Sequence, residues 1–155
     1  MNRLALIIAG AAITASAEQR PPMNVTDRQL CAAVLILEAG GEIDPRTGHS
    51  RLAMSAVWEV IWRRAELRKL SPVGVVTQPK QFSCLNHIAP GRAIATAQRH
   101  PHWRHAWGIT GGPPVTQLTR KADHYYSSTI RAPYWANPLK HTVTIGRHRF
   151  YRLGN

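Results

Sequence analysis

The sequence predicts a mainly α domain with a minor β element. Three observations carry that expectation: an apolar stripe at helical spacing over residues 30–38, a second helical stretch over 50–70 that is apolar on most sides through its middle, and two β-prone runs flanking Gly146. The 155 residues suit one compact domain, with a core that can be sizeable without metals or staples.

Taken in order, residues 1–17 (MNRLALIIAGAAITASA) have a short basic start, an apolar run from Leu4 to Ala15 and a small-residue end at Ala15-Ser16-Ala17. That is the layout of a secretory signal, and the run is short for a membrane span. An uncleaved N-terminal anchor is the alternative. Either places the domain outside the cytoplasm, in the periplasm, the extracellular space or a phage particle. Residues 18–23 read as a linker and 24–155 as the domain. A helix is expected over 26–39, with Thr26 and Gln29 spaced as a capping box, Leu30, Ala33, Val34 and Leu37 on one face, and Gly40-Gly41 as the stop. The second helix, 50–70, takes Ser50 as N-cap, carries Trp58 and Trp62, and is expected to be the central buried helix. Its basic end (Arg63, Arg64, Arg68, Lys69) suits the helix dipole. Then come a turn of helix and a loop over 71–86, a short helix over 90–99, a loop over 100–114, a helix over 115–128 and a C-terminal hairpin.

Twenty Lys and Arg face eight Asp and Glu, a formal charge of +12 and a pI near 11.1. Such a field favours an anionic polymer. Nucleic acid, wall glycans and lipid head groups all satisfy it, but an exported chain disfavours nucleic acid. The N-terminus adds a possible peripheral or anchored membrane contact. Two cysteines, Cys31 and Cys84, permit one bridge in an oxidising compartment. Such a bridge is expected here and would contribute about 3–4 kcal/mol; two separate thiols are the other reading.

The acids are few enough to inspect completely. Glu18 lies in the linker. Asp27 occupies a first helical turn, where negative charge is favourable. Glu59 and Glu66 have arginine neighbours on their own helix. Glu38, Glu42, Asp44 and Asp123 remain. Glu38 continues the edge of an apolar stripe, four residues beyond Val34. A carboxyl there loses hydration, so its pKa should rise, as a general acid requires. Gly40 and Gly41 leave open backbone where a polymer could approach. A helix-end glutamate that reaches solvent or pairs with a basic residue fits the pattern equally.

Six blocks, LEAGGE, GHSRLAMSAVWEVIWRRA, VGVVTQPKQFSC, ADHYYS, APYWA and TIGRHRFYR, occur in the order and spacing of the SleB-like cell wall hydrolases. The chain resembles that family over nearly all of residues 28–152. The resemblance implies a lysozyme-like fold related to lytic transglycosylases, acting as a monomer on peptidoglycan without metal or cofactor. It places the catalytic acid on Glu38 and a supporting carboxylate on Glu42. The other family blocks fall on Gln81, Phe82, Ser83 and Cys84, on Ala122, Asp123, His124 and Tyr125, and on Gly146, His148, Phe150 and Tyr151. Two departures stand out: Lys121-Ala122-Asp123 replaces the family's usual Gly-Ala-Thr, and Arg63-Arg64 its usual Asn-Arg. Asp123 is therefore expected to bring an additional carboxylate near the groove.

The resemblance further implies cleavage between N-acetylmuramic acid and N-acetylglucosamine with Glu38 as single acid and base. The alternatives are a hydrolytic muramidase or glucosaminidase with a second carboxylate, Glu42 as base, and a non-catalytic basic wall-binding module. Phe82, Tyr125, Tyr126, Tyr134, Trp135 and Tyr151 are candidate platforms along a sugar groove. Core packing competes with that role, and prevails for Phe82 and Trp135, whereas His124-Tyr125 is the pair expected to touch substrate. His100, His102 and His105 read as a solvated basic loop rather than a metal site.

Overall fold

The computed structural model describes residues 23–41 and 50–154. The expected leader, most of the linker, Glu42 and Asp44 lie outside the described residues. Among the described residues there are five α-helices and three strands: α1 Val25–Ala39, α2 Arg51–Arg68, α3 Pro72–Val76, α4 Pro90–Gln98, α5 Trp103–Ile109, β1 His124–Ser127, β2 His141–Ile145 and β3 His148–Tyr151. No described helix is long and apolar enough to cross a membrane.

The first helix begins one residue before the expected capping box. Asn24 is the N-cap: its extended backbone turns the chain and its Oδ1 accepts from Asp27 N at 2.8 Å. Thr26 is already helical. Residues Cys31 to Ile36 are all buried, and α1 packs against α2, α3, α4 and α5. α1 is therefore the hub, a place the sequence reading gave to α2. Ala32 and Ala33 let neighbours approach α1 on several sides, whereas α2 also serves the sheet through Ala56 and Val60. α2 follows Ser50, whose side chain makes no cap hydrogen bond among the described residues. It ends on Lys69, left-handed at φ 54°, with Leu70 N donating back to Ala65 O at 2.9 Å.

The segment expected as a loop over 100–114 contains α5. Trp103, Ala106 and Trp107 recur at helical spacing, and the two indoles stack at 6.2 Å along one face. Arg28 of α1 secures the helix: its guanidinium sits 3.7 Å over the Trp107 ring and donates to Trp107 O at 2.5 Å.

The helix expected over 115–128 does not form. Glu59 of α2, read as a neighbour of arginines on its own helix, is buried and accepts from Thr116 Oγ1 (2.6 Å), Leu118 N, Thr119 N and Thr119 Oγ1 (each 2.8 Å). Backbone donors bound to a carboxylate are lost to a helical ladder. Arg120 and Lys121 then take left-handed φ of 53° and 64°, which turns the chain into β1. Glycine is the natural occupant of such a position, and this chain places Arg120 and Lys121 there instead.

The sheet is antiparallel, in the order β1-β3-β2. The expected hairpin is its β2–β3 pair, closed by Gly146-Arg147. Gly146 has φ 58°, the requirement at the first central position of a two-residue hairpin turn. Tyr125 pairs with Phe150 and His124 with Tyr151. Alternation therefore puts Tyr125, His148 and Phe150 on one face, with Val143 and Ile145, and His124, Tyr126, Arg149 and Tyr151 on the other. The first face packs on Ala56 and Val60 of α2. The hairpin tip is tied to the end of α1, where Arg147 Nη2 donates to Gly41 O at 3.2 Å.

The expected disulfide is absent: Cys31 and Cys84 are separate thiols. Cys31 is buried with its sulfur 3.9 Å from Met23 Sδ, whereas Cys84 N bonds Glu38. Glu38 lies seven residues along α1 from Cys31, about 10 Å of helix rise. Cys31 thus sits in the middle of α1 against Met23, whereas Cys84 meets α1 at its last turn.

Glu59→Ala removes the acceptor of four bonds and leaves buried donors unpaired. The expected loss is about 3 kcal/mol or more of folding stability, read from urea denaturation midpoints of the two proteins.

Candidate active site

Glu38 occupies the last turn of α1 and is half-buried. Two elements distant in sequence reach it. Tyr125, on the inner face of β1, donates its hydroxyl to Glu38 Oε2 at 3.2 Å. Cys84, in the single helical turn Ser83–Leu85, directs its backbone N–H at Glu38 Oε1 at 3.4 Å. Each carboxylate oxygen thus faces one donor. Burial, and then the negative charge of Glu38, push the Tyr125 phenol well above its ordinary pKa. Burial followed by the same charge pushes the Cys84 thiol upward as well. Both groups consequently stay protonated at neutral pH. The remote Cys31 thiol is pushed up to about 12, by burial first and Asp27 second.

Arg64 supplies the balancing charge. It is buried, donates Nε to Asp123 O at 2.6 Å and lies 5.8 Å from the Phe82 ring. Burial lowers its pKa, while the fields of Tyr125, Asp123 and Glu38 oppose that shift; a guanidinium remains charged at any ordinary pH. Sequence reasoning assigned this arginine to the helix dipole. The signal was present, since Arg64 lies four residues beyond Val60 and three beyond Ile61, on a buried stripe.

The remaining expected site residues divide. Phe82 is core, as expected. Ser83 is exposed beside Cys84, while the Gln81 side chain accepts from Arg68 Nη1 at 2.9 Å. His148 is buried edge-on against Tyr125, with ring centroids 5.1 Å apart. His124, Tyr126, Trp135 and Tyr151 form a separate aromatic cluster on the other face of the sheet. Tyr126 stacks on Tyr151 at 5.8 Å, and Trp135 approaches His124 at 5.2 Å and Tyr151 at 5.7 Å. The pair His124-Tyr125 is thus split by strand alternation, with only Tyr125 facing Glu38. His100 and His102 are neighbours at 5.4 Å, and among the described residues no group of three His, Cys, Asp or Glu side chains could hold a metal.

Asp123 does not bring a free carboxylate to Glu38. It is buried, and its oxygens accept from Leu153 N (2.8 Å), Gly154 N (2.5 Å) and His124 Nδ1 (3.0 Å). A Cβ on Gly154 would lie 2.6 Å from Asp123 Oδ2, so glycine permits this approach. Burial raises the Asp123 pKa, but the bonds from Leu153, His124 and Gly154 outweigh it and leave the carboxyl below its ordinary value.

The described residues thus form a helical domain that closes a small sheet over one helix end and holds the Glu38 carboxylate there between a phenol and a backbone amide. The family model of the cell wall hydrolases matches residues 48–151, and the chain belongs to that family. The fold is similar to two solved structures. The catalytic domain of the Bacillus cereus SleB protein is 24% identical, with a TM-score of 0.51 over 82% of this chain and 90% of that one. The catalytic domain of the germination-specific lytic transglycosylase SleB from Bacillus anthracis is 23% identical, with a TM-score of 0.55 over 84% and 97%. Among curated proteins, none matches. The family match begins ten residues after Glu38, so the case for Glu38 rests on its geometry.

The depressed Asp123 pKa fixes the sign of a pH effect. A carboxyl with lowered folded-state pKa stabilises the fold above its unfolded pKa, and that contribution is lost as pH falls through the folded value. Asp123→Asn should therefore be about 1–3 kcal/mol less stable than the parent near neutrality. The gap should close below about pH 4, which paired thermal melts across pH 2–7 would show.

Proposed function

We propose that the protein is an exported enzyme that cleaves the glycan backbone of peptidoglycan between N-acetylmuramic acid and N-acetylglucosamine. Glu38 acts as the single acid and base of a lytic transglycosylase. The observation that carries this reading is the position of Glu38: half-buried, held by Tyr125 and Cys84, beside exposed Gly41 and Ser83. A carboxyl so placed can meet a glycan strand from solvent while two donors fix its orientation.

The reaction begins with proton transfer from the Glu38 carboxyl to the glycosidic oxygen. The bond from that oxygen to C1 of muramic acid breaks, and the substrate's acetamido oxygen stabilises the cationic carbon. Glu38, now a carboxylate, takes the proton of the C6 hydroxyl as that oxygen bonds to C1. A 1,6-anhydro ring closes, the acid is regenerated, and no water is consumed. Tyr125 and the Cys84 amide stabilise the carboxylate stage by donating to its two oxygens. Arg64 adds positive potential behind the site.

The remaining described acids support a one-carboxylate mechanism. Glu59 and Asp123 are committed to backbone donors, Asp27 to the start of α1, and Glu66 to an exposed pair with Arg63 at 3.3 Å. That similar folds include a protein described as a lytic transglycosylase is in keeping with this reading.

Glu38→Gln keeps the shape and removes the transferable proton. Turnover of purified peptidoglycan should fall by about 10²–10⁴-fold, with the far-UV circular dichroism unchanged. Mass spectrometry of fragments from the parent should find anhydro-muramyl ends. Reducing ends would instead assign a hydrolase with a second carboxylate, and undiminished cleavage by Glu38→Gln would remove Glu38 from the chemistry.

A further inference from the structure

The end of the sheet away from the β2–β3 hairpin tip carries a second surface that the cleavage mechanism does not use. A depression of about 320 Å³ there is lined by Leu139, Lys140, His141, Thr142, Arg152 and Gly154. Lys140 and Arg152 are exposed, and neither forms an ion pair among the described residues. Among the described residues no carboxylate lines the depression. Asp123, the nearest acid through Gly154, has its oxygens bonded to Leu153, Gly154 and His124. His141 joins the depression to the aromatic cluster, since its ring lies 5.4 Å from that of Tyr151. Leu139 on the rim is 91% exposed, and Tyr134, beside Trp135 in sequence, is fully exposed. Cations without partners beside uncovered apolar side chains suit a ligand that is both anionic and partly apolar.

The geometry points to an anchoring site for the peptide stems of peptidoglycan, separate from the glycan groove and working alongside it. This inference rests on the wall-cleaving reading. Stem carboxylates would sit against Lys140 and Arg152, and stem methyl groups against Leu139 and the neighbouring rings. The strands fix the separation: the hairpin tip meets the end of α1 through Arg147 and Gly41, whereas Lys140, His141 and Arg152 lie at the opposite ends of β2 and β3. A glycan strand held at Glu38 leaves this end free for stems of adjacent strands. The enzyme would thus grip a cross-linked network at two points while cutting at one.

The test is co-sedimentation of the full chain with insoluble peptidoglycan, with Glu38→Gln present throughout so that the polymer survives. Adding Lys140→Glu with Arg152→Glu should weaken binding about tenfold, equivalent to about 1.4 kcal/mol. Adding Arg99→Glu with Arg104→Glu, exposed on other helices and equal in charge change, should weaken it less than twofold. On glycan strands stripped of their stems, the Lys140/Arg152 effect should vanish. In the chain that retains Glu38, Lys140→Glu with Arg152→Glu should cut a soluble stem-free glycan oligomer at the parental rate. Four results would overturn the proposal: unchanged binding after the Lys140/Arg152 substitutions; equal weakening by the control pair, which means a general charge effect; a loss that persists on stripped strands, which means a sugar or phosphate ligand; or parallel loss of oligomer cleavage, which means one continuous groove. Failure of the cleavage reading is a separate outcome, in which the parent leaves both oligomer and sacculi uncut.

Discussion

The junction of Tyr125, Glu38 and Cys84 organises the functional half of the molecule. It joins the end of α1 to a strand 87 positions later and to a turn 46 positions later, through one carboxylate. The groups around it follow from that choice. A half-buried carboxylate calls for neighbours that add no second negative charge, and burial together with the charge of Glu38 keeps both the Tyr125 phenol and the Cys84 thiol protonated. It also calls for a nearby cation that remains charged when desolvated, which an arginine is better able to do than a lysine. Arg64, held through Asp123 O, fills that role.

The same economy governs the other acids. In a chain of charge +12, carboxylates would be expected to pair with surplus arginines. Among the described acids the two most deeply buried, Glu59 and Asp123, instead accept from backbone N–H groups and nearby side chains, fixing segments with no regular structure of their own: 116–119 and 153–154. They hold the chain on either side of β1 and β3, the pair that delivers Tyr125. The surplus cations are left on the surface, where an anionic polymer can meet them.

Much of this was legible in the sequence, for identifiable reasons. α1, α2, α4 and the β2–β3 hairpin follow from apolar spacing, glycine stops and β-prone runs, which are local signals. Glu38 stood out because a carboxylate interrupts an apolar stripe. The failures share a non-local cause. The 115–128 segment has adequate helix formers, but Glu59 claims its backbone donors from 59 and 60 positions away. The split of His124 from Tyr125 across the sheet depends on β1 being a strand, so misreading one element placed two faces in one groove. The cysteine pairing failed because each cysteine has a different neighbour, Met23 for Cys31 and Glu38 for Cys84, which cysteine count cannot supply. α5 and Arg64 had local signals that were passed over, in the spacing of Trp103, Ala106 and Trp107 and in the place of Arg64 on the Val60–Ile61 stripe.

The most direct measurement is a crystal structure of the Glu38→Gln protein with a peptidoglycan glycan fragment bound. The account predicts a glycosidic oxygen about 3 Å from the residue 38 side chain, with Tyr125 still bonded to that side chain and no second carboxylate on the opposite side of the sugar ring. A fragment bound with its scissile bond remote from residue 38, or against the outer aromatic face instead, would contradict it.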